Sequence, residues 1–473
     1  MKLFLQKLLR KFIRAKIQRS EPNEFLAAGE RKLRKFLRQS VGTTVASREF
    51  FAEKSRAYDW NSPIDQLLDS FPITEKSNTF RRFPLQKLLR DTLSINDLAS
   101  ILTSSGHGAG GFAFGLSTKE QLRESPFLID LGLELAFEVD RFTTLLINCL
   151  PMGVTFQSNV VCVANVSVRE DMAVAIVESA GSMFEQIIIV GDPLFLKKFF
   201  DYATIKSIEW RKYRVNIVLG EETFSENFRT YLASKLQIDL NEPKVGAIIS
   251  SMGAGELGLN LFTESRETVF LRRFLASRTD LLPTLFGGGQ ASTVLPTFLT
   301  YSPLRIYVEV ADQDNFGIGD LVITVLDPCA AIPMIRYKTG DRAAKIDFRA
   351  LKNKLASLDL PEPKLPIIAL FGRAKDLLPN GDHVDHYKAA MYQSAEVADC
   401  LAGAFRLTMV DQCVNWDVQL TNNFEGDAEA IEASLFAAAG GESRDLIVNC
   451  FSYEKFPHGR TIDYERKFVY LQH

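Results

Sequence analysis

The sequence predicts an α/β fold: a large N-terminal part with mainly parallel sheets and a β-rich subdomain, followed by a small α+β part. Three observations carry this. Between residues 120 and 275 short β-branched runs alternate with helical stretches, the pattern of a sheet whose strands are joined by crossover helices. From 304 to 371 strands follow one another, as in Leu304–Val310, Leu321–Val325 and Ile367–Phe371. After Gly372-Arg373 the pattern changes again, to a unit that mixes strands and helices, so the boundary is expected there, giving domains 1–372 and 373–473.

A chain of 473 residues can bury a large core. Its 46% hydrophobic and 24% charged residues are ordinary for a globular protein. The net charge of −3 gives no reason to expect a nucleic-acid partner. The 6 cysteines are scattered and the 5 histidines form no HExxH pattern, so neither a disulfide framework nor a dedicated zinc site is expected. The cysteines read as buried thiols of a cytoplasmic protein. No apolar run reaches the roughly 18 residues that a transmembrane helix needs.

The first 100 residues read as helices. Met1–Arg19 carries Lys2, Lys7, Arg10, Lys11, Arg14, Lys16 and Arg19 and no acid, with Leu5, Leu8, Leu9, Phe12 and Ile13 at helical spacing. A helix packed on the body with its charges solvated is expected; peripheral contact with an anionic membrane and an organellar presequence are the alternatives. Glu21–Arg38 and Ser62–Leu68 follow, with Pro22 and Pro63 suited to first turns. Ser70–Lys76 reads as another helix start, with Thr74 as its cap.

A strand-like Ile101-Leu102 then leads into Ser104-Ser105-Gly106-His107-Gly108. Glycine lets successive backbone N–H groups converge on one anion, and serine hydroxyls add donors, so this loop suits phosphate. In the alternating region Thr143–Ile147, Val160–Ala164 and Gln186–Val190 read as strands, and Arg169–Ser182, Leu194–Tyr202 and Ser225–Leu236 as helices. Ligands of such sheets sit at the carboxyl ends of strands. That directs attention to Gly220-Glu221 and to Met252-Gly253-Ala254-Gly255-Glu256. Further on, Arg336-Tyr337-Lys338-Thr339-Gly340-Asp341 puts an acid on what reads as a sharp turn after a strand. Gly372-Arg373 ends the next strand, and Lys467 lies in a charged tail, Asp463–Lys467.

In this order and spacing the segments resemble the adenylate-forming (acyl-activating) enzymes, most closely the phenylacetate–CoA ligase branch. The resemblance runs from about Phe71 to Lys467. It implies ATP and Mg²⁺, with Ser104, Ser105, Gly106, His107 and Gly108 around the phosphates, Gly220 and Glu221 framing adenine, and Met252 and Gly253 beside it. It implies Glu256 as the metal-linked acid, Asp341 on the ribose, Arg373 on ribose or phosphate, Lys375 as hinge, and Lys467 as the catalytic lysine of a mobile C-terminal domain. Cys149–Gly153 lies where the family lines its acyl pocket. His107 and Gly108 replace two threonines, Met252 an aromatic residue and Gly255 a hydroxyl residue.

The implied reaction is attack of a small carboxylic acid, aryl or medium acyl, on ATP, then transfer to a thiol, most simply coenzyme A. Transfer to an amine, a carrier protein or a protein cysteine stays open, as does a degenerate relative that binds nucleotide or acyl group without turnover. A homodimer is the family's frequent state.

Overall fold

The structure, a computed structural model, describes residues 2–53, 58–103, 111–151, 153–240, 242, 246–286, 294–355, 360–411, 413–443, 445–459 and 462–472. One 11-stranded sheet spans most of it. From one edge its strands are Ile306–Ala311, Gly319–Val325, Tyr337–Ile346, Ile367–Arg373, Thr297–Tyr301, Gly258–Thr263, Ile248–Ala254, Arg214–Leu219, Gln186–Gly191, Thr144–Asn148 and Cys162–Asn165. The last five pair in parallel; every other pair is antiparallel. The parallel sheet and the β-rich subdomain are therefore one continuous sheet, joined at Ile248–Ala254, which is parallel on one side and antiparallel on the other.

The parallel half is legible from its residues. Gln186–Gly191 is buried along its whole length. Because strand side chains alternate, Ile187 and Ile189 enter one core with Val174, Phe195, Phe199 and Phe228. Ile188 and Val190 enter another with Leu133 and Phe137. Helices Glu170–Ala180, Pro193–Ile205 and Glu226–Leu236 cover the first face, and Lys119–Phe137 the second. Ser225 Oγ accepts the Phe228 N–H at 3.2 Å, a cap that contributes about 1 kcal/mol.

Two expectations for the N-terminal region change. The segment around Thr74 is no helix start: it forms a parallel bridge with Tyr337. Thr74 N donates to Arg336 O at 2.8 Å and Lys338 N to Thr74 O at 2.7 Å. Backbone pairing with the sheet wins over capping because both Thr74 groups find strand partners. The basic helix Lys2–Arg19 does pack on the body, but through its charges. Arg10, 2% exposed, donates to Glu134 Oε1 at 2.8 Å and lies 3.4 Å from Asp130, while Arg14 meets Asp140 at 2.7 Å. Among the cysteines only Cys149 is buried, its thiol pushed up to about 12 by desolvation; Cys162 is exposed and the rest are intermediate.

The C-terminal part is a four-stranded sheet, Leu446–Phe451, Cys413–Leu420, Leu401–Val410 and Leu471–Gln472. It has its own core around Trp416, Phe405, Leu407 and Tyr387, closed by helices Val384–Met391 and Ala428–Ala438. Among the described residues no helix is long and apolar enough to cross a membrane.

Candidate active site

Three strand ends and one tail segment converge where the two parts meet. The first strand end is the run from Arg336 to Asp341, which divides into a strap and a site. Arg336 is buried, its guanidinium 2.9 Å from Glu309 and donating at 2.6 Å to the carbonyls of Leu68 and Phe71. It fastens the end of helix Ile64–Leu68 to the sheet. Tyr337 is 2% exposed and donates its hydroxyl to Glu256 at 2.9 Å.

Beyond them the sharp turn expected at Gly340 is instead a bulge inside the strand Tyr337–Ile346. Lys338 lies opposite Val322 and Arg342 opposite Asp320, so Thr339, Gly340 and Asp341 face the single residue Leu321. Gly340 takes φ +88° there, the left-handed state that glycine adopts at little cost. Asp341 N donates to Thr339 Oγ1 at 3.2 Å. A bulge re-aims a side chain without ending the strand.

Asp341 pairs in register with Arg373 on the neighbouring strand. The guanidinium stands 3.7 Å from the carboxylate and keeps 38% of its side chain exposed. Burial raises the Asp341 carboxyl above the usual aspartate range, against the pull of Arg373 and Lys467. Lys375 lies on the short turn Ala374–Asp376 directly after that strand. Burial, Arg373 and Lys467 pull its ammonium below the usual lysine range.

The second strand end is Gly220-Glu221, after Arg214–Leu219. Glu221 holds φ +68°, a backbone state that costs a non-glycine residue roughly 1–2 kcal/mol. Lys467 reaches it from the C-terminal part: its Nζ donates to Glu221 O at 2.8 Å and lies 3.1 Å from Oε2. Two residues far apart in sequence thus touch. The helix that follows, Glu226–Leu236, is tied to the strand Ile248–Ala254 by the fully buried Arg229, which meets Glu226 at 2.9 Å and Glu264 at 2.8 Å and donates to Ile248 O.

The third strand end carries Glu256, on the hairpin turn between Ile248–Ala254 and Gly258–Thr263. Lys76 faces it and Arg373: burial lowers the Lys76 ammonium, Glu256 opposes this, and Arg81 and Arg373 add to it. Gly115, on strand Phe114–Thr118, packs against the same turn. A Cβ there would fall 1.7 Å from Gly255 O, so only glycine fits. That strand pairs with Leu98–Thr103, and the two flank the glycine-rich segment. Ser104, Ser105, Gly106, His107 and Gly108 themselves lie outside the described residues, as does Met152. Met252 is half-buried against the core around Phe262 and Tyr337, and Gly253 is exposed beside it.

Cations from four elements, Lys76, Arg373, Lys375 and Lys467, thus surround Asp341, Glu221 and Glu256. Such a set suits a polyanion held by a diol-binding carboxylate. As for Mg²⁺, Glu256 is half-exposed and carries one hydrogen-bonded carboxylate; a single carboxylate fits that ion when phosphate oxygens and water complete the shell.

Sequence reasoning missed the contacts that hold the C-terminal part in place. Lys388 meets Glu222 at 2.5 Å, Thr223 donates to Asp385 at 3.0 Å and Asn227 to Ala389 O at 2.8 Å. Tyr231 donates to Asp399 at 2.8 Å and Lys235 meets it at 2.6 Å. The usable signal was the polar spacing along 222–235, which reads equally as a solvated helix face.

No family model matches the chain, and no curated protein matches it. Solved structures do. Over 96% of this chain and 90% of the other, it superposes on 2-hydroxyisobutyryl-CoA ligase in the postadenylation state, in complex with R3-HIB-AMP, with TM-score 0.65 at 12% identity. The same ligase in an open conformation, in complex with 2-HIB-AMP and CoA, gives TM-score 0.53 at 12% identity over 94% and 91% of the two chains. The fold is that of the adenylate-forming ligases, a large mixed α/β part followed by a small C-terminal part.

Proposed function

We propose that the chain activates a small carboxylic acid with ATP and passes the acyl group to a thiol, most simply that of coenzyme A. The observation that carries this is the Lys467–Glu221 contact, made beside Asp341 and Arg373. In the first step a carboxylate oxygen bonds to the α-phosphorus and the bond to pyrophosphate breaks. The developing charge needs a cation in a site shielded from water, and Lys467 supplies it. Asp341 accepts the ribose hydroxyls, and Arg373 orients ribose or α-phosphate. Glu256, set by Tyr337, would hold Mg²⁺, which neutralises phosphate charge. The glycine-rich segment 104–108 takes the phosphates, and Gly220, Glu221, Met252 and Gly253 flank the adenine.

In the second step a thiol sulfur attacks the acyl carbon, loses its proton and releases AMP. For this the C-terminal domain, residues 373–473, rotates about Lys375. Its contacts with 220–235 combine ion pairs such as Lys388–Glu222 with packing of Tyr392 on Phe228 and Tyr231, and the rotation has to break and remake both kinds. The higher likeness to a postadenylation-state ligase than to an open one supports reading Lys467 as engaged. The motif wording supports the phenylacetate–CoA ligase branch and an aryl or medium acyl acid.

The test is pyrophosphate release from ATP and Mg²⁺ with aryl, fatty and amino acids, with and without coenzyme A. Release with one acid is expected, and thioester formation when coenzyme A is added. Silence across the panel from a protein that binds ATP would overturn the activity and leave a nucleotide-binding relative.

A further inference from the structure

The N-terminal helix Lys2–Arg19 is docked the wrong way round for a helix that only covers a core. An amphipathic helix on a globular protein normally turns its apolar stripe inward. Here Phe4, Leu5, Leu8, Leu9 and Phe12 are 64%, 57%, 49%, 50% and 67% exposed. Phe4, Leu8 and Phe12 recur every fourth residue, with Leu5 and Leu9 beside them, so they form one outward stripe. What faces the body is Arg10, 2% exposed, against Asp130 and Glu134, with Arg14 against Glu134 and Asp140. These ion pairs set the roll of the helix. Removing a cation from a buried pair is strongly unfavourable, so the helix cannot turn its stripe inward without separating them.

The charges that remain point to the partner. The helix has no acid, and Lys7, Lys11, Lys16 and Arg19 are exposed around the stripe. Beside Leu3 a surface cavity of about 500 Å³ continues the same character, lined by Lys119, Leu122 and Arg123 and by no acid. This local excess stands against a whole-chain charge of −3. Exposed aliphatic and aromatic side chains among lysines match the boundary between acyl chains and anionic headgroups. At 18 residues with this many charges the helix lies in the interface and does not span it.

We propose that Lys2–Arg19 is an interfacial anchor that seats the protein on an anionic lipid bilayer, its Phe4–Phe12 stripe in the headgroup boundary. The proposal does not depend on the reaction at the nucleotide site.

The experiment is flotation of the full chain with vesicles of phosphatidylcholine alone or mixed with phosphatidylglycerol, with light scattering of the free protein alongside. Binding to the mixed vesicles is expected, weaker to phosphatidylcholine alone, and reduced by salt. Leu8→Glu with Phe12→Glu should weaken it roughly tenfold or more, since each side chain leaves the apolar layer. Lys7→Glu with Lys11→Glu should weaken binding to the mixed vesicles only. Circular dichroism checks that these exposed substitutions leave the fold intact. No binding to the mixed vesicles, or binding indifferent to the stripe, would overturn the proposal. So would a dimer of the free protein that Leu8→Glu with Phe12→Glu makes monomeric, which would assign the stripe to a second copy.

Discussion

Two arginines at the two ends of neighbouring strands divide the labour of this molecule. Arg336 is buried and saturated: Glu309 and the carbonyls of Leu68 and Phe71 take up its donors. Arg373 is 38% exposed and, among the described residues, has one long ion pair, 3.7 Å from Asp341. The same side chain is architecture where its hydrogen bonds are complete and is available for chemistry where they are not. The sequence motif containing Arg336 therefore combines a strap at its start with the proposed site from Thr339 to Asp341.

The largest effect on this division should come from Arg336→Leu. It leaves Glu309 without its cation and two carbonyls without donors, for a loss of about 3–5 kcal/mol of stability. Urea denaturation checks this. Arg373→Leu, by contrast, should leave the urea midpoint nearly unchanged and weaken ATP binding. If both variants lose stability equally, the contrast between strap and site fails.

Next in size is Asp341→Asn. The amide keeps one acceptor and loses the charge, so ATP should bind about tenfold more weakly, by calorimetry, while the deoxyribose analogues should lose less.

The pH dependence sharpens the same point. Burial raises the Asp341 carboxyl, so as pH falls it takes up a proton before an ordinary aspartate near 3.9 does. ATP affinity should therefore show an acid limb above that value, absent in Asp341→Asn. For folding the sign is opposite. An acid whose pKa is raised in the fold costs stability as pH rises through it, and Asp341→Asn relieves that cost above the raised value.

The smallest change is Tyr337→Phe. It removes one hydrogen bond to a half-exposed carboxylate, so about 1 kcal/mol is expected, read as a weaker dependence of ATP binding on Mg²⁺. No change in that dependence would detach Glu256 from the metal.

These residues also mark how far the sequence could be read. The strands of the parallel half were legible because β-branched side chains must fill two faces at once, as in Gln186–Gly191. The order of Glu256, Asp341, Arg373 and Lys467 was legible from the wording and spacing of the short segments that carry them, although Asp341 lies inside a strand and Lys467 in irregular chain. The bulge at Thr339–Asp341 was not, since it depends on the register of Gly319–Val325 against Tyr337–Ile346, a relation between strands. Thr74 was misread for a related reason: its local preference for a cap lost to a bridge with Tyr337. Nor could the roll of Lys2–Arg19 be read, because periodicity reveals an apolar stripe but not which face finds Asp130 and Glu134. The contacts of 222–235 with Asp385, Lys388 and Asp399 belong to the same class.

The most direct test of the account is ATP–pyrophosphate exchange driven by an accepted acid, in the intact protein and in Lys467→Ala, with ATP binding measured on both. If Lys467 neutralises the developing charge, the variant should bind ATP and lose exchange by roughly two to three orders of magnitude. Exchange at the rate of the unaltered protein would contradict the assignment and reduce the Lys467–Glu221 contact to one more ion pair between two parts of the chain.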